Sequence, residues 1–185
     1  QVIGGREIAW LMLLFWSAMI QASTGFLASG LMSPRWAPDL GLLLFLAVAA
    51  RLGRKDLAAS RKPVGFLGIL LVSAASRLAF SVQAVAPVLT GLLAVLFWQN
   101  TLRRGLDVER PMIRILVAGG ASMLLLFWWH LVREANLIGI SGEVSPVVWS
   151  DVGAWRSVLL TSALAPALMP IFLRLPGLSP LWGRE

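Results

Sequence analysis

Between Ile8 and Leu175 the chain returns six times to a long apolar run, and most of its charge falls in the short stretches between those runs. A run of about 20 apolar residues crosses the hydrocarbon of a bilayer as a helix. The helix is favoured there because lipid offers no partner to an unpaired backbone group. The runs predict helices over 8–31, 38–52, 64–78, 82–102, 112–132 and 157–175. In 185 residues they leave only connecting loops. The fold class expected is therefore an all-α polytopic membrane protein with six transmembrane helices, forming one transmembrane domain over 1–185 with no soluble domain. Apolar residues make up 58%, charged residues only 14%, and mean hydropathy is +0.80, outside the range of soluble globular chains. No A-x-A-like cleavage site follows the first run, which is expected to be a retained span.

The charge of +7 would suggest nucleic acid in a soluble protein. Here the basic residues sit between apolar runs, so topology explains them and no nucleic-acid partner is expected. With the N-terminus inside, 12 of the 16 basic residues fall on the cytoplasmic side: Arg6, Arg51, Arg54, Lys55, Arg61, Lys62, Arg103, Arg104, Arg110, Arg114, Arg174 and Arg184. Arg35, Arg77, Arg133 and Arg156 remain outside. That bias predicts cytoplasmic N- and C-termini.

Two short segments stand out within this frame. Ser33-Pro34-Arg35-Trp36-Ala37-Pro38-Asp39-Leu40 is a polar hinge on the outer side, directly ahead of the leucine-rich second run. Pro38 and Asp39 are expected in the first helical turn, where proline loses no bond and a carboxylate meets the positive end of the helix dipole. Trp36 suits the headgroup zone. Taken alone, the hinge is a well-made helix start at a membrane surface. The second run, fifteen residues long as drawn, rises only about 22 Å and is short for a bilayer. Small residues recur at Ser73-Ala74-Ala75-Ser76 and Gly119-Gly120-Ala121, where helices can approach closely, either within one bundle or against a partner. Pro166 and Pro170 lie inside the sixth run, so neighbouring helices must pair the carbonyls they free. Glu134 to Arg156 is the longest polar connection, with Val147, Val148, Trp149 and Trp155 expected at the membrane surface. Pro176 to Glu185 reads as a loop-like tail.

Catalytic groups are sparse. There is no cysteine, which excludes thiolate chemistry, disulfides and cysteine-ligated metals. All nine acidic residues lie in loops or at helix ends, so no intramembrane proton or ion relay is evident. His130 follows Trp128 and Trp129 near a helix end and needs no special role there. No phosphate-binding loop, zinc-protease or nucleophile-elbow pattern occurs. The expectation is no enzyme, no metal and no cofactor. Two classes of function remain. An assembly subunit would offer helix faces to partner membrane proteins. A small-molecule binding subunit would gather polar side chains at one depth, for which Gln21, Ser23, Thr24, Gln83, Thr90, Trp98 and His130 are candidates.

The order of segments carries a resemblance. A first span containing Gln21 precedes Ala37-Pro38-Asp39-Leu40 and its leucine-rich span. A basic loop follows, then Gly65-Phe66-Leu67-Gly68, then a span with Gly91 ending in Arg103-Arg104, and last Leu164-Ala165-Pro166-Ala167-Leu168-Met169-Pro170. From about Ile8 to Leu175 this series resembles the bacterial rod shape-determining protein MreD family. Ser73 stands where that family usually has Asp, and a glycine common after the third span is missing around Ser81 or Val82. The polar residue often found early in the family's last span corresponds to Thr161 or Ser162. The resemblance implies a non-enzymatic subunit of the cell-elongation machinery in the bacterial inner membrane. Its partners would be an MreC-like single-span protein and, through it, a RodA-type glycosyltransferase, a penicillin-binding transpeptidase and MreB filaments, with membrane lipid around it. Arg35, Trp36, Pro38, Asp39, Ser73, Ala75, Ser76, Gly119 and Gly120 are the partner-binding candidates. The spans are also similar in number and size to the substrate-binding subunits of energy-coupling-factor vitamin transporters, which is the alternative.

Overall fold

A computed structural model describes residues 4–30, 37–54, 62–77, 85–103, 110–134 and 152–182. These residues form six α-helices and, among the described residues, no strand: α1 (Gly5–Gly30), α2 (Leu40–Leu52), α3 (Lys62–Arg77), α4 (Val85–Arg103), α5 (Pro111–Glu134) and α6 (Val152–Phe172). A short 3-10 helix, Ser179–Trp182, ends the described chain.

The bundle is built around its shortest α-helix. α2 has 13 residues, and every one from Leu42 to Ala49 is buried, as is Leu52. Such a helix, apolar on all sides, has no face to give to solvent or lipid. α1, α3, α4, α5 and α6 surround it, each packing on the next in that order, while α1 and α6 scarcely touch. The chain beyond α6 crosses that break. Trp16 Nε1 donates to the Pro176 carbonyl at 3.1 Å, and Gly177, at φ +83°, turns the backbone close against Met12. Leu178 and Leu181 are then buried. Enclosure also resolves the shortness of α2: a helix that lipid does not reach need not match the bilayer thickness.

Much of the outside is apolar too. Leu11, Phe15 and Met19 on α1, Val64, Leu67 and Leu71 on α3, and Met112, Leu116 and Phe127 on α5 are all exposed. Phe97 on α4 and Met112 reach 75% and 74% exposure. Apolar faces of this extent are uncommon on soluble monomers. Two stretches, Pro111–Val132 within α5 and Val152–Phe172, are long and apolar enough to cross a membrane. Leu40–Leu52, Lys62–Ala75 and Val88–Leu102 are apolar but shorter.

Several expected boundaries move. α2 starts at Leu40, not Pro38, because Asp39 is its N-cap and takes the Leu42 amide on its own carboxylate. Asp39 is therefore ahead of the first turn and not within it. α6 starts at Val152, not at residue 157, so Trp155 lies in a helix and not in a surface loop. Ser157, expected at the start of this helix, lies inside it. α6 stops at Phe172, and the tail read as a loop contains the 3-10 helix. Arg35, Trp36, Gln83 and the stretches 55–61, 104–109 and 135–151 lie outside the described residues, as does the side chain of Ser76.

Candidate functional site

The polar groups with long-range partners gather mainly at the head of α2. Asp39 Oδ1 accepts from the Leu42 amide at 2.8 Å, which pairs one of the N–H groups a helix start leaves open. The amide of Asp39 itself donates to Thr161 Oγ1 on α6 at 2.9 Å. One turn earlier on α6, Ser157 Oγ donates to the Ala37 carbonyl at 2.7 Å. Thr161 completes the set by donating to the Ser157 carbonyl at 2.8 Å. Ala37, Pro38 and Asp39 are thus clamped to one face of α6, and Thr161 is fully buried. A buried hydroxyl must be paired, and this one is paired as both donor and acceptor. The clamp fixes both the starting point and the entry direction of the central helix. Its chemistry is hydrogen bonding between neutral groups and one capping carboxylate, an arrangement that positions a helix.

A second polar contact holds α6 to α5. Pro170 has no amide to offer the Pro166 carbonyl one turn back, so that carbonyl would be an orphan. Arg114 Nη1, on α5, donates to it at 3.3 Å. The requirement that a neighbour pair a proline-freed carbonyl is met here by a basic residue that charge counting assigns to topology alone. Ser162, the next residue along α6, returns its hydroxyl to the Val158 carbonyl at 2.7 Å. A third contact lies lower in the bundle, where Gln99 Nε2 on α4 donates to the Leu46 carbonyl of α2 at 2.9 Å.

The small-residue faces divide. A side-chain carbon added at Gly119 would stand 2.8 Å from Ser162 Oγ, and one at Gly120 would stand 2.6 Å from the Trp98 ring. Both glycines therefore face this chain's own α6 and α4 and close its bundle. Ser73 and Ala74 point inward and are buried, while Ala75 is exposed beside Leu71. Of the solute-site candidates, Ser23, Thr24 and Thr90 each return their hydroxyl to a carbonyl of their own helix. Trp98 lies over Gly120 between α4 and α5. Among the described residues no three His, Asp or Glu side chains come together as a metal site.

No family model matches the chain, and no curated protein or solved structure does so either. The site is read from its geometry.

That geometry joins parts that sequence reading kept apart. The Ala37-Pro38-Asp39 hinge and Thr161 were separate motif positions and are direct partners. Ser157, Gln99 and Arg114 were missed as contacts. Only Arg114 had a usable signal: two prolines four apart announce a carbonyl in need of a donor, though not which residue supplies it.

Proposed function

We propose that this chain is a six-span, non-enzymatic subunit of the bacterial inner membrane that serves the cell-elongation machinery by presenting helix faces to an MreC-like single-span partner. The observation that carries the reading is the clamp. Two segments of the MreD-like series, the hinge at Asp39 and the polar position at Thr161, are bonded to each other across 122 residues of sequence. That contact supports the reading by joining two of its motif positions in space. The apolar exterior of α1, α3, α4 and α5 supports a lipid setting for all six helices, including the enclosed α2.

In this reading the clamp holds the outer end of α2 rigid under the hinge, and Arg35 and Trp36 with that end form the docking point for the partner's membrane-proximal segment. The outward stripe of α3, Val64, Leu67, Leu71 and Ala75, receives its span. Gly119 and Gly120 are left out because their neighbours are already Ser162 and Trp98. Helix association in lipid comes from close packing and not from hydrophobic drive, so the small Ala75 on an otherwise bulky stripe is the place where backbones approach.

The test is to purify the tagged protein in mild detergent from its own host and identify what accompanies it by mass spectrometry. A single-span coiled-coil protein, with or without a transpeptidase, is expected, and Ala75→Leu should deplete it without lowering expression. A pair of ATPases with a large coupling subunit, or a bound vitamin, would replace this reading with the transporter one.

A further inference from the structure

Gln99 is a buried amide with half of its bonding unmet. It is only 3% exposed, its Nε2 donates to the Leu46 carbonyl, and its Oε1 is buried with no partner in the protein. An unpaired buried carbonyl in apolar surroundings is costly enough that native structures almost always pair it, often with an ordered water. Beside this amide lies a small cleft lined by Ala49, Phe66, Leu96, Gln99 and Asn100, at the meeting of α2, α3 and α4. It leaves about 10 Å³ for the centre of a water-sized sphere. That is about the room one water needs.

We propose that this cleft is a hydration site that holds a single water donating to Gln99 Oε1. Three features agree on the occupant. The orphan is an acceptor, so the ligand must carry a hydrogen-bond donor. The space is about that of one water, too small to enclose a vitamin. The cleft lies near the ends of α2 and α4 that carry Arg51 and Arg103, and its rim residue Asn100 is exposed, so water has a short way in. The bound water would let a polar side chain join α4 to α2 without leaving an unmet bond in the apolar interior. This inference does not depend on which machinery the protein serves.

Water-edited solid-state NMR on protein in liposomes, with glutamine side-chain nitrogens labelled, measures it directly. The Gln99 Nε2 signal is assigned as the one lost in Gln99→Met. If that variant does not fold, Asn100→Asp and Ala49→Val serve to assign it by their shifts. Magnetisation should pass from water to the Gln99 amide early in the build-up, despite its burial. Ala49→Val, which adds bulk at the cleft wall, should keep the Gln99 signal and abolish the early transfer. No early transfer in the native protein overturns the proposal. So does a transfer that Ala49→Val leaves unchanged, because the water would then lie elsewhere.

Discussion

Thr161 carries two bonds at once, and that makes its hydroxyl the most informative atom of the clamp. Thr161→Val keeps the shape and removes both, leaving the Asp39 amide without its acceptor at the head of α2. Loss of one partner from a buried pair costs about 1–3 kcal/mol, so the variant should unfold measurably earlier in a detergent thermal melt. Thr161→Ser should stay near the native value. Asp39→Ala removes the cap and should cost roughly 1 kcal/mol by the same assay, with Asp39→Asn much milder. Arg114 invites a double-mutant cycle. Arg114→Met alone orphans the Pro166 carbonyl, whereas in a Pro170→Ala background the restored amide can pair it. A coupling of about 1 kcal/mol between the two positions is expected, and strict additivity would show that the 3.3 Å contact does not serve the carbonyl. None of these pairs could be read from spacing. Sequence shows that Asp39 suits a helix start and that Pro170 frees a carbonyl, but a hydrogen bond across 122 residues depends on how whole helices are set beside each other.

At the scale of the helix, number and order were legible, because apolar runs broken by charge and proline fix where helices can exist. The ends were less so. Ser157 was read as the first residue of the sixth helix, yet the helix begins at Val152 and the Ser157 hydroxyl is bound to the Ala37 carbonyl. The rank of α2 was hidden for a different reason. Its leucines look like a lipid-facing span, and only the ring of five neighbours reveals that it has no outer face. The glycines test the contacts that make that ring. Gly120→Ala pushes a methyl to within 2.6 Å of the Trp98 ring, which is held between α4 and α5 and has little room to move. Overpacking of this kind costs about 1–3 kcal/mol, so the melt should fall, and Trp98→Leu in the same chain should restore part of it. If Gly120→Ala left stability untouched but stripped away a co-purifying protein, the glycine face would belong to a partner after all.

For the whole molecule, the helix ends sort the charge. Arg6, Arg51, Arg54, Lys62, Arg103, Arg110, Arg114 and Arg174 lie toward one end of the bundle, and Arg77, Arg133 and Arg156 toward the other. That sorting predicts which end faces the cytoplasm. The chain has no cysteine, so single cysteines report without background. In intact spheroplasts a membrane-impermeant maleimide should label Val152→Cys and spare Arg6→Cys and Arg174→Cys, and inverted vesicles should give the reverse pattern. Labelling of all three from one side would break the six-span topology.

The clamp also fixes an order of events in the life of the chain. The bonds that secure the head of α2 come from α6, 120 and 122 residues further along the chain. Until α6 is made, the central helix lacks the neighbour that holds its start. Arrival of α6 is what clamps the head of α2 in place. A fragment ending at residue 150 should be cleared quickly by membrane proteases in a pulse-chase, and co-expression of residues 151–185 should prolong its life. The segment that enters the bundle second is thus secured by one that enters much later.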